Sequence, residues 1–196
     1  MIEVEKRYII TKEQEENILK DTELLGEKIF TDIYYDDTNY SLTTNDIWLR
    51  RRDNKFELKI PLNKSFEKRL SDQYEEIGNE KDILNYFQAN YNKTIKELIT
   101  EINFIPFCKI KTIRRKYKKE GFNIDLDIAD TGFAIMEIER MTDDLSKMKE
   151  ITQEITQFAE RNGIIKEQKW GKIIEYIRIN NPQHFQALIN AKLIGL

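Results

Sequence analysis

Ile2-Glu3-Val4-Glu5-Lys6-Arg7-Tyr8 is the stretch on which the reading of this chain turns. In an extended strand, successive side chains point to opposite faces. Glu3, Glu5 and Arg7 therefore share one face, and Ile2, Val4, Lys6 and Tyr8 the other. A single strand of this kind is ordinarily the solvated edge of a sheet. Whether the charged face meets water or an interior depends on how often the pattern returns.

It returns throughout the chain. Phe122, Ile124, Leu126 and Ile128 oppose Asn123, Asp125 and Asp127, while Glu137 and Glu139 share a face with Phe133 and Ile135. Trp48, Arg50 and Arg52 sit together; Phe56, Leu58 and Ile60 oppose Glu57 and Lys59; Arg114, Lys116 and Lys118 oppose Arg115 and Tyr117. The charges are sorted by strand. The acidic pairs Glu3/Glu5, Asp125/Asp127 and Glu137/Glu139 stand apart from the basic pair Arg50/Arg52, whereas a solvated sheet usually mixes both signs with Ser, Thr and Gln.

Turn signals at Asp53-Asn54, Glu120-Gly121 and Asp130-Thr131-Gly132 join these segments into hairpins. Seven or eight mostly antiparallel strands linked in this way tend to close into a barrel, which removes exposed edges. Helical spacing of apolar residues marks 80–101 (Ile83, Leu84, Phe87, Ile95, Leu98, Ile99). It also marks 146–161, stopped by Asn162-Gly163, and a tail broken at Pro182. Four to six such helices need apolar surface to pack on, and the apolar strand faces supply it. The charged faces then point into the barrel. The expected class is α+β, with one domain over residues 1–196.

Composition narrows the function. Charged residues make up 34% of the chain and hydrophobic residues 40%, yet 32 basic and 35 acidic side chains leave a net charge of only −3. A wholesale nucleic-acid binder usually carries a clear positive excess. Cys108 is the sole cysteine, so no intrachain disulfide forms and a reducing cytoplasm is the expected setting. No apolar run approaches the ~20 residues that cross a bilayer, and the N-terminus lacks the apolar core of a signal peptide.

Carboxylates crowded into a tunnel cannot all stay ionised and unpaired, because like charges at close range shift one another's pKa. Divalent cations relieve this, and Mg²⁺ or Mn²⁺ prefers carboxylate oxygen with water. Basic residues alongside call for a polyanion, and Arg in particular forks onto phosphate oxygens. Acid for metal beside base for phosphate is the layout of metal-dependent phosphoryl transfer.

The stretch "IEVEKRY" resembles the Glu-x-Glu-x-Lys signature of the CYTH superfamily, the triphosphate tunnel metalloenzymes. "DIWLRRRD…FELKIP" resembles its thiamine triphosphatase branch, and "YYDDTNYSL", "DLDIADTGFAIMEIE" and "GKIIEYI" follow in matching order along nearly the whole chain. The resemblance implies an eight-stranded antiparallel β-barrel, a triphosphate tunnel with helices packed outside. It implies metal ligands Glu3, Glu5, Asp125, Glu137 and Glu139, with Mg²⁺ the expected ion and Mn²⁺ an alternative. It implies triphosphate contacts Arg7, Arg50, Arg52, Lys59, Arg114 and Lys172, and Arg7 departs from the family by replacing lysine. Lys59 counts with Glu3, Glu5, Glu137 and Glu139 among the implied catalytic groups. A small register shift would exchange Arg114 for Arg115 or Lys111.

The implied reaction is hydrolysis of thiamine triphosphate to the diphosphate and orthophosphate, by a cytoplasmic monomer acting on a small molecule. Inorganic or nucleoside triphosphatase activity, adenylyl cyclase activity, and non-catalytic nucleotide or polyphosphate binding are the alternatives. Nucleic acid enters only as a 5′-triphosphate end, and a membrane not at all. Outside the implied site, His184 and Cys108 read as structural and Lys6 as outside the tunnel. Asp127 reads as a support to Asp125, and "KYKKE" at 116–120 as solvated. Trp48 reads as a packing or tunnel-mouth residue able to stack on a substrate ring, and Trp170 as core.

Overall fold

The computed structural model describes residues 2–62, 72–168 and 170–194. Eight strands form a closed barrel: β1 (Ile2–Tyr8), β2 (Glu23–Asp36), β3 (Trp48–Arg52), β4 (Lys55–Pro61), β5 (Asp72–Ile77), β6 (Ile105–Lys119), β7 (Phe122–Ala129) and β8 (Ala134–Thr142). Around the barrel they run β1-β5-β4-β3-β2-β6-β7-β8, every neighbour antiparallel, with β8 closing back on β1. Closure leaves no edge to attract another chain.

The hairpin turns fall where their residues dictate. Glu120 and Gly121 take φ of 51° and 81° between β6 and β7, a left-handed pair that glycine adopts without strain.

Six α-helices lie among the described residues: α1 (Lys12–Ile18), α2 (Glu80–Tyr86), α3 (Ile95–Glu101), α4 (Met148–Arg161), α5 (Lys172–Asn180) and α6 (Pro182–Asn190). The helical stretch expected over 80–101 is two short helices, the second opened by a Thr94–Glu97 capping box. No apolar periodicity in the sequence marks α1 or β5. Phe133 stands just before β8 and packs against the inner-face cluster of Tyr34, Trp48, Cys108 and Ile110. No helix of the described residues is long and apolar enough to cross a membrane.

Three apolar clusters fix the barrel in its surroundings. Outward residues of β1, β7 and β8 (Val4, Ile124, Ile138) pack on Ile151, Ile155 and Phe158 of α4. Outward Leu49, Phe56 and Leu58 pack on α2 and α3. The third cluster differs in kind, because Tyr34, Trp48, Cys108 and Ile110 lie on the inner face and meet Ile174, Ile177 and Leu188 of α5 and α6. The last two helices therefore cap one end of the barrel. A strip of the outer wall is exposed where Ile29 of β2, Ile113 of β6 and Ile128 of β7 align across the three strands, at 57%, 40% and 47%.

Candidate active site

Alternation along each strand delivers the charged residues to one cavity of about 580 Å³. β1 contributes Glu3, Glu5 and Arg7; β8 contributes Glu137 and Glu139; β3 and β4 contribute Arg50, Arg52 and Lys59. Arg114 enters from β6, and Lys172 from the first turn of α5. Asp125 and Asp127 of β7 lie behind this lining, both fully buried.

Register brings like charges together. Glu5 lies directly opposite Glu139 across β1 and β8, and Asp125 opposite Glu137 across β7 and β8. Opposed like charges are unfavourable even on a surface, and burial sharpens the effect. Burial pushes the Glu5 carboxyl up to about 8, with Glu3 and Glu137 adding to the rise against the pull of Arg7. Burial, Glu3 and Asp125 push Glu139 up to about 7 against Lys116. Glu3 goes the other way: burial opposes its charge, but the Lys59 ammonium, 2.6 Å away, holds it down at about 2. Glu137 is likewise held low against burial by Lys172, Arg114 and Arg7.

The cations neutralise part of this wall. Arg114 donates from Nε and Nη2 to the two Asp127 oxygens at 2.6 and 2.7 Å, reaches Glu137 at 2.7 Å, and also pairs with Asp125. Arg52 forks onto Asp32 at 2.8 and 3.0 Å with its guanidinium 4.0 Å over the Phe30 ring. Arg50 pairs with Glu57 at 2.6 Å, and Lys59 spans Glu3 and Glu76. Lys172 contacts Asp127 and lies 3.6 Å from Glu137. Arg7 pairs with Glu5 and stacks against Gly171, where a Cβ would come within 3.2 Å of its Nε.

Every residue implied by the resemblance except Asp125 lines this one space, and the acids divide. Ligand oxygens of Glu3, Glu5 and Glu139 lie within 4.8 Å of one another. Asp125 and Glu137 are instead engaged by Arg114. An all-carboxylate group with two members pushed toward the neutral form suits a hard divalent cation, which would let all three ionise.

The inner β6 residue is Arg114, since Arg115 faces outward to Glu15 at 2.7 Å and Lys111 is exposed. Lys6 also faces outward, to Thr156 and Glu167. The cluster at 116–120 is not wholly solvated: Lys116 points inward and donates to Glu139 at 2.9 Å. Glu57, Glu76 and Asn123 add to the polar lining, with Asp32 behind it as the partner of Arg52, and only the alternation of their strands marks them in the sequence.

His184 is fully buried, bonded to Thr43 at 2.7 Å and stacked on Tyr40 at 4.0 Å, away from the cavity. Cys108 is buried, its thiol driven up by burial. Trp170 meets the edge of Phe185 in the end-capping cluster. At that end of the cavity Trp48 stands edge-on to Tyr34 and donates from Nε1 to Asp46 at 2.8 Å.

The model of the CYTH domain family matches residues 1–173. Among curated proteins, the thiamine-triphosphatase of Homo sapiens is 25% identical, over 96% of this chain and 90% of its own length. That of Macaca fascicularis is 24% identical over the same shares. Among solved structures, a protein of Pyrococcus horikoshii superposes with a TM-score of 0.67 at 22% identity, covering 90% of this chain and 98% of that one. A putative adenylyl cyclase of Hippeastrum, described as having a dominant triphosphatase activity, superposes at 0.54 with 19% identity, covering 90% and 95%. The two structural likenesses speak to the fold alone.

Proposed function

The chain belongs to the CYTH domain family, and from that premise we propose that it is a divalent-cation-dependent triphosphatase whose substrate is thiamine triphosphate. One observation carries the reading. A single cavity sets the Glu3, Glu5 and Glu139 carboxylates beside Arg7, Arg50, Arg52, Lys59, Arg114 and Lys172. The organic end of the substrate comes from the curated relatives and from Trp48 at the apolar end of the same cavity.

In this proposal Glu3, Glu5 and Glu139 hold Mg²⁺ or Mn²⁺, with Asp125 and Glu137 lending negative charge from the adjoining wall. A bound divalent cation would neutralise phosphate charge and lower the pKa of water. The protein supplies the remainder. Arg50, Arg52, Arg114, Lys59, Lys172 and Arg7 exchange carboxylate partners for phosphate oxygens, and each is already fixed by its strand or helix, so little reorganisation accompanies the reaction. Water attacks the terminal phosphorus in line; its proton passes to a carboxylate of the group, and the P–O bond to the diphosphate breaks. The products are orthophosphate and thiamine diphosphate, with no covalent enzyme intermediate.

The test is phosphate release with Mg²⁺ from thiamine triphosphate, inorganic triphosphate, ATP and an RNA 5′-triphosphate, compared by kcat/KM. Thiamine triphosphate is expected to lead. Preference for inorganic triphosphate would assign the second reading, which rests on the fact that the cations address phosphate and not the organic end.

A further inference from the structure

Among the described residues, Lys116 is the tunnel cation to which the proposed reaction gives no task. Its position is set by the backbone: it pairs with Asp125 across β6 and β7 and shares the inner face with Arg114. Its Nζ donates to Glu139 Oε1 at 2.9 Å and lies 3.5 Å from Asp125 Oδ1. The same Glu139 oxygen accepts a second hydrogen bond from Asn123 Nδ2 at 3.1 Å. Glu139 is thus held by neutral Asn123 and cationic Lys116 together.

Exposure separates Lys116 from the other cations that touch this group. Its side chain is 35% exposed, against 17% for both Lys59 and Arg7, while Glu139 and Asp125 are 7% and 0% exposed. The Lys116 ammonium therefore has more water within reach if it lets go than Glu139 has. A long flexible stem makes that exchange inexpensive.

We propose that Lys116 is a tethered counter-cation that competes with the divalent ion for Glu139 and so sets how tightly the free enzyme holds metal. This rests on the reading of Glu3, Glu5 and Glu139 as the ion's ligands. Two positive centres a few ångströms apart repel, and one carboxylate cannot serve both fully. When metal takes Glu139, Lys116 withdraws to the solvated rim. Lys116 is a positioning residue, acting on the metal through the carboxylate.

The sign of the effect makes it testable. A nearby charge is worth one to three pKa units to an ionisable partner, so removing Lys116 should tighten Mn²⁺ binding by about tenfold or more. The experiment is a Mn²⁺ titration of the intact protein without substrate, read by the electron paramagnetic resonance signal of free Mn²⁺. Lys116→Met should bind more tightly than wild type, and Lys116→Arg should match wild type. A Lys116 that merely held the barrel together would give weaker binding on removal. Equal or weaker binding by Lys116→Met overturns the inference.

Glu5→Gln in the same titration separates this inference from the reading beneath it. If Glu5→Gln loses Mn²⁺ binding while Lys116→Met is unchanged, only the role of Lys116 fails. If Glu5→Gln binds as wild type does, or wild type binds no Mn²⁺, the ligand assignment fails and the inference with it.

Discussion

Glu5 and Glu139 face each other directly across the β1–β8 pairing inside a closed barrel, both buried, and both with carboxyls pushed up toward neutrality. Two like-charged carboxyls buried face to face are unfavourable to the barrel on their own. The arrangement stores a demand for positive charge, which a divalent cation meets.

Metal-free stability should therefore fall as pH rises. The folded Glu5 and Glu139 keep their protons to about 8 and about 7, whereas the unfolded chain releases them near the ordinary value of 4.5. Between those limits the native state binds more protons than the unfolded state, so alkali destabilises it. Melting temperature measured from pH 5 to 8 should decline without metal, and 5 mM-scale Mn²⁺ should remove the decline by binding only the folded form. Glu5→Gln should melt higher than wild type at pH 8 without metal and lose at least ~100-fold in kcat, the scale set by losing a metal's charge stabilisation.

Arg114 should prove far more costly to lose than its neighbour Arg115. Arg114 compensates Asp125, Asp127 and Glu137, all buried, so Arg114→Ala leaves several charges unpaired. Breaking a buried pair from one side costs about 3–5 kcal/mol. Arg115 meets the half-exposed Glu15 on the outer wall, and surface pairs are worth about 0–1 kcal/mol. Urea denaturation of Arg114→Ala and Arg115→Ala gives the comparison; similar losses would mean that the inner ion pairs add nothing beyond a surface pair.

These two residues also show where the sequence was legible. In "IRRKY" the alternation left Arg114 and Arg115 on opposite faces, and the acids of β7 and β8 told which face was inner only once the pairing register was known. Strands whose faces contrast sharply, such as "FNIDLDI" and "FELKI", announced themselves. The strand β5 did not, because "DQYEEI" offers one aromatic among acids and amides and owes its place to pairing with β1 and β4. The first half of β2 is mostly solvated and pairs only with β6, so no apolar pattern marks it. The short helix α1 buries only Ile18, though its Thr11–Gln14 capping box was there to be read. Lys116 was misplaced for a different reason: a basic run near a turn is usually wet, and its strand's register overrides that habit.

His184 should oppose the carboxylates in its pH dependence. Burial holds its imidazole down at about 4, below the ordinary 6.5. Over that interval the unfolded chain binds the proton and the folded chain does not, so stability falls as pH falls from 6.5 toward 4. With Mn²⁺ present to silence Glu5 and Glu139, melting temperature should drop across this window in wild type. His184→Gln should melt lower at pH 7, through loss of stacking on Tyr40, and show a flatter acid limb. An unchanged acid limb would assign the slope to other groups.

Trp48 gives the sharpest test of the organic end. Its ring stands at the apolar end of the cavity, edge-on to Tyr34, two residues along the same inner face from Arg50. A triphosphate whose phosphates are held by Arg50 and Arg52 has its organic group within reach of that ring. Stacking on an aromatic face is worth about 1–3 kcal/mol, so removing it should cost about tenfold or more in affinity for a ring-bearing substrate. Trp48→Leu keeps apolar bulk against α5 and α6 while removing the aromatic face. KM for thiamine triphosphate should rise about tenfold, with kcat largely kept, because the interaction is made equally before and during the reaction. Inorganic triphosphate has no ring to lose, so its kinetics should be unchanged. A parallel loss with both substrates would make Trp48 a packing residue and leave the organic end to be recognised elsewhere.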